Sequence, residues 1–132
     1  MQRQSELTVV TKAKDLCSYV FEVTQRCPKQ FRFTFVSRIQ NLSLNVIENV
    51  YRANEVFLSN PGLREKLQKR REYQHTALTE LKIMAFVSQM ALEQKCILPQ
   101  HFEQISKQTL DCQRLLGAWA NSDKKKWESK LS

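Results

Sequence analysis

Apolar residues recur at steps of three and four along most of the chain, a helical rather than a strand-like rhythm. From Ser5 to Arg26, Val9, Ala13, Leu16, Val20 and Val23 form one stripe that closes at Cys27. From Thr34 to Leu58, Phe35, Ile39, Leu42, Val46, Asn49, Ala53 and Val56 keep the same rhythm. Between Pro61 and Cys96 the period is carried by Leu67, Leu78, Leu81, Met84, Ala85, Val87 and Ala91. The first turns of that segment are highly charged and its second half is apolar. From Pro99 to Ala120 the stripe is Phe102, Ile105, Thr109, Cys112, Leu116 and Trp119. A period near 3.6 places such positions on one helix face. The spacing predicts four amphipathic helices, at residues 5–26, 34–58, 61–96 and 99–120.

Three breaks separate these segments: Cys27-Pro28-Lys29, Ser59-Asn60-Pro61-Gly62 and Leu98-Pro99-Gln100. Ser5 and Asn60 read as N-caps, with Pro61 at the first helical position. Short connections make successive helices antiparallel neighbours, so the expected fold is all-α, an up-down-up-down four-helix bundle. The bundle is expected to occupy residues 1–121 as a single domain. Residues 122–132 carry no apolar period and read as a basic, mobile tail.

Composition narrows this further. Two glycines and three prolines in 132 residues disfavour a turn-rich β fold. No run of about 18 apolar residues is present, so no membrane span is expected. Lys12, Lys14 and Asp15 interrupt any apolar signal-peptide core, which reads as a cytoplasmic chain.

No nucleophile elbow, phosphate-binding glycine loop, HExxH or paired-carboxylate motif occurs, and the sequence reads as a non-enzyme. No cofactor, metal or small-molecule substrate is expected. The four cysteines form no CxxC pair. Bundle topology brings Cys27, Cys96 and His101 to one end, as a thiol–imidazole site or as free thiols packed like small hydrophobes.

Charge changes the picture most. The net charge is +8, from 21 Lys and Arg against 13 Asp and Glu. That balance suits nucleic acid or an acidic protein as partner. Arg38, Asn45 and Arg52 recur every seven residues along helix two, with Asn41 and Asn49 beside them. Such a ladder fits hydrogen bonding to a neighbouring subunit or to phosphates, or a solvated face. Arg64, Lys66, Lys69, Arg70 and Arg71 outnumber Glu65 and Glu72 in one run. Glu65 and Lys69 are spaced to pair, so part of the run is self-compensated. Lys124, Lys125, Lys126 and Lys130 surround Trp127, an aromatic that could stack on a base or simply end a solubilising tail.

The stretch FRFTFVSRIQNLSLNVIENVYRAN, preceded by Pro28, resembles the signature of Avd proteins, the accessory variability determinants of diversity-generating retroelements. The matching positions are Pro28, Arg32, Phe33, Thr34, Arg38, Ile39, Asn41, Leu42 and Leu44. A second match is RLLGAW, Arg114 to Trp119, which looks like the family's helix-four ending. The resemblance spans residues 12–121. It implies a ring-like homopentamer of four-helix bundles. It also implies a basic surface that binds the element's reverse transcriptase and template-repeat RNA or cDNA, supporting adenine-directed mutagenic copying into a variable gene. Lys82 falls where the family often carries a basic, partner-facing residue. Arg114 would anchor the end of helix four, and Arg32, Asn41, Asn45, Asn49, Gly117 and Trp119 would serve subunit contacts or the family motif. The acids in the tail depart from the family pattern and weaken the assignment of that tail to RNA.

The bundles encoded by intervening sequences of ribosomal RNA genes are related, but their SIPSNIAEG segment is replaced here by LSLNVIENVYRA. The alternative reading is therefore a structural or protein-interaction bundle of that type, with no nucleic-acid role.

Overall fold

A computed structural model describes residues 2–131 of the chain. Four α-helices carry it: α1 at Gln2–Thr24, α2 at Ser37–Glu55, α3 at Leu63–Glu93 and α4 at Pro99–Trp127. No strand occurs among the described residues. Among them, no helix is long and apolar enough to cross a membrane.

Side-chain contacts fix the packing directions. Gln40 Nε2 donates to Thr24 Oγ1 at 2.9 Å, and Ser43 Oγ lies 3.4 Å from Cys17 Sγ. Positions rise along α2 as they fall along α1, so the two run antiparallel. Asn45 with Glu80 and Arg70 with Val56 give the same sense between α2 and α3. α1 packs on α2 and α4, and α3 packs on the same two helices. The result is an all-α arrangement of four helices around one core, as in an antiparallel bundle.

That core is built from the periodic stripes. Val9, Leu16, Val20, Ile39, Leu42, Val46, Leu81, Met84, Ile105, Leu116 and Trp119 are almost wholly removed from solvent. Each such aliphatic side chain contributes about 1.5–3 kcal/mol of transfer free energy. Ser43, Ser88 and Thr109 also lie on the buried faces. Ser43 and Thr109 turn their hydroxyls back onto carbonyls of their own helices, at 2.7 and 2.9 Å.

The helix limits differ from those the sequence suggested, for local reasons. α2 is entered through a 3-10 turn at Lys29–Phe31 and a π-helical turn at Arg32–Val36. The wide turn lets Phe31 and Phe35 pack together, ring centroids 5.9 Å apart, and leaves Phe33 outside. α2 stops at Glu55 because Val56 turns extended. Leu58 then folds inward onto Leu63 and Leu67, forming a second small core with Val56, Trp127 and Leu131. α3 starts at Leu63, not Pro61. Gly62 takes φ +82, a left-handed conformation suited to glycine, and makes no side-chain cap.

α3 ends in a Schellman turn. Cys96 N–H bonds Ala91 O at 2.8 Å and Lys95 N–H bonds Leu92 O at 3.0 Å, with Lys95 at φ 64. α4 opens with Pro99 in its first turn and continues past Ala120 to Trp127. The segment read as a tail is therefore helical through Trp127, followed by a 3-10 turn at Glu128–Lys130.

Candidate functional site: a cationic end of the bundle

The continuation of α4 has a clear physical cause. Asp123, on its inner face, is fully buried and meets Arg70 from α3. Arg70 Nε lies 2.9 Å from Asp123 Oδ2, and Arg70 Nη2 donates to Oδ1 at 3.1 Å. Gln74 Nε2 donates to Oδ2 at 3.0 Å. The Arg70 guanidinium also sits over the Trp119 ring, 4.9 Å from its centroid. Both charges are thus paired and hydrogen-bonded, the condition for tolerating them in a core.

This arrangement corrects the reading of Arg70 as a surface cation for phosphate. It is 5% exposed and its charge is spent inside the protein. Trp127 is corrected as well: its ring packs on the Leu58, Leu63 and Leu67 cluster, and Lys126 and Lys130 lie over it at 5.3 and 4.7 Å. A base-stacking platform is not what the ring presents.

Docking α4 in this way gathers charge. Residues 61–72 and 121–131 together hold nine Lys and Arg against Glu65, Glu72, Asp123 and Glu128. Two further contacts join the segments, Arg71 Nη2 with Glu128 Oε1 at 3.3 Å and Arg64 Nη2 with Leu131 O at 3.4 Å. Lys66 Nζ is drawn to Ser59, 3.2 Å from its carbonyl oxygen. Arg64, Lys69, Lys124, Lys125, Lys126 and Lys130 are exposed on this end of the molecule. Beside it lies a groove of about 680 Å³, lined by Tyr51, Val56 and Tyr73 with Arg52 and Lys69 set against Glu48 and Glu55.

Of the other sequence candidates, Arg52 reaches the groove beside that end, whereas Arg38 and Lys82 do not join it. Arg38 and Asn41 line a separate cleft of about 500 Å³ with Phe33, Val87 and Met90. Lys82, Arg32 and Arg114 are exposed. The Arg–Asn ladder of α2 is largely satisfied within the chain. Arg52 pairs with Glu48 at 2.8 Å, Asn49 donates to the Asn45 carbonyl at 2.9 Å, Asn45 reaches Glu80 at 3.3 Å, and Asn41 reaches Ser37 at 3.4 Å. Trp119, expected at a subunit contact or in a motif, is a core residue at 0% exposure. Gly117 is exposed, and a Cβ added there would meet nothing within 4 Å.

Cys27 and Cys96 do come together beyond the ends of α1 and α3, where the Cys27 thiol donates to the Val23 carbonyl at 3.9 Å. Burial pushes the Cys27 thiol up; burial, with Cys27 beside it, pushes Cys96 up to about 12. No group of three or more His, Cys, Asp or Glu suited to a metal occurs among the described residues, so His101 does not complete a thiol–imidazole site.

Two features were missed. Asp123 was hidden inside a lysine run; its only signal is an acid one helical turn past Trp119, on the core side. Ile83, Phe86 and Met90 form an exposed apolar strip on α3, signalled by a second three-and-four spacing opposite the core stripe.

Fold and surface together define an all-helical protein of four packed helices with a cationic end. No protein-family model matches the chain, and a search of curated proteins gave no match.

Proposed function

We propose that the chain is a non-catalytic accessory protein of the Avd type, binding the reverse transcriptase and template RNA or cDNA of a diversity-generating retroelement and assembling as a homopentamer. The single observation that carries the nucleic-acid part is the gathering of exposed cations from two distant segments on one end of the bundle. A cationic surface of this kind attracts a phosphate backbone without reading its sequence. The motif resemblance at residues 28–44 and 114–119 supports the retroelement context. The exposed strip of Ile83, Phe86 and Met90 supports self-association, since apolar patches of this kind mark protein contacts.

A mobility-shift titration with structured RNA tests the reading. Affinity should fall steeply between about 50 and 200 mM salt. Absence of binding at the low end removes the nucleic-acid role and leaves the second reading, a protein-interaction bundle, which the same apolar strip favours. Co-purification with a reverse transcriptase encoded beside the gene tests the partner. Light scattering tests the pentamer against the 15.6 kDa single chain.

A further inference from the structure

We infer that the nucleic-acid contact is one composite platform, made by the start of α3 and the end of α4, and that Asp123 is the positioning residue that assembles it. This rests on the nucleic-acid reading above and adds where on the molecule a phosphate backbone lies.

Neither segment makes the platform alone. The first turns of α3 offer Arg64 and Lys69 to solvent, but Arg70 is buried and Arg71 is paired with Glu128. The end of α4 offers Lys124 and Lys125, and the 3-10 turn after it Lys130, three cations in a polar stretch with no apolar stripe of its own. What holds that stretch helical and against α3 is the single inward-facing acid, Asp123, with Trp127 and Leu131 closing the small second core. Asp123 carries no charge to the surface. It touches Arg70 and Gln74, both on α3, and so fixes the α4 lysines relative to Arg64 and Lys69. The ligand this surface suits is a run of phosphates on a flexible strand, because its exposed cations are mostly lysines, point charges that meet phosphates without reading a base.

Arg32, Arg38 and Lys82 lie outside the platform. Arg38 sits in the cleft with Phe33 and Met90, and Arg32 stands in the π-helical turn that leads into α2. They should contribute little.

Fluorescence anisotropy of the full chain with a mixed-sequence single-stranded RNA of about twenty nucleotides, over a salt series, tests both parts. Each phosphate contact contributes about 0.7 to the salt slope for a single strand. K124A/K125A/K130A should lower the slope by about 2, whereas R32A/R38A/K82A should leave it near the wild-type value. Equal losses from the two sets overturn the platform. Asp123→Ala should lower the slope as much as the lysine triple, with the bundle still folded and helix content lost only at the end of α4. If that variant fails to fold, R70A/D123A removes the pair together and leaves no buried charge unpaired. Its slope should fall too, although the only cation it deletes is a buried one. A folded variant of either kind with the wild-type slope overturns the positioning role of Asp123. Failure of the wild-type chain to bind the RNA at all overturns the underlying reading instead, so the two failures are distinct.

Discussion

Arg70 and Asp123, 53 positions apart in sequence, form a buried ion pair 2.9 Å long between the start of α3 and the end of α4. Taking two charges out of water costs several kcal/mol per ion, and the pair offsets that only while both partners and Gln74 are in place. Asp123→Ala should therefore destabilise the fold by about 3–5 kcal/mol, because it strands a buried guanidinium. Arg70→Met with Asp123→Leu should be neutral or stabilising. Urea denaturation compares the two; equal losses would mean that shape, not charge, holds α4 down.

The bundle itself was legible because a 3.6-residue period survives in every segment and prolines mark the gaps. The ends of helices were not, for reasons that lie outside any single window. Gly62 at φ +82 delays α3 by two residues from the expected start. The extension of α4 depends on Asp123 meeting a residue on another helix, which no local pattern encodes. The same tertiary contact turned Arg70 from a surface cation into a core residue. Arg64, Lys69 and Lys124 to Lys126 were readable as exposed cations, yet only the docking of α4 brings them to one end.

Lys95 carries the left-handed turn that ends α3, at φ 64. A residue with a Cβ pays roughly 1–2 kcal/mol in that conformation, and glycine does not. Lys95→Gly should raise stability by about 1 kcal/mol while keeping the Cys96 to Ala91 bond. A lower thermal midpoint would show that the lysine side chain makes a contact worth more than the strain.

Gly117 lies on the exposed side of α4 with open space where a Cβ would go. Within the single chain it has no packing reason to be glycine. Gly117→Ala should add about 0.5–1 kcal/mol by lowering the entropy lost on forming the helix. Thermal unfolding checks this. A loss of stability there would point to a close neighbour at Gly117 that the isolated chain lacks.

Phe86, with Ile83 and Met90, exposes aromatic and aliphatic surface on the side of α3 away from the core. If this strip is the self-association surface, Phe86→Glu should shift the light-scattering mass toward the 15.6 kDa of one chain. The residue is 66% exposed, so helix content should not change. An unchanged mass would move the contact to another face.

Cys96 and Cys112 give the fold a pH dependence of known sign. Burial is the leading cause for both, and it holds Cys96 at about 12 and Cys112 at about 11 against an ordinary 9.0. The folded chain therefore keeps these protons more tightly than the unfolded one. The stabilisation is complete below pH 9 and is lost as pH rises toward 11 to 12. The urea midpoint of the wild-type chain should fall between pH 8.5 and 10.5 more steeply than that of Cys96→Ala/Cys112→Ala. Every other ionisable group is common to both proteins, so its contribution cancels in the difference. Parallel profiles would mean that the two thiols ionise alike in the folded and unfolded chains.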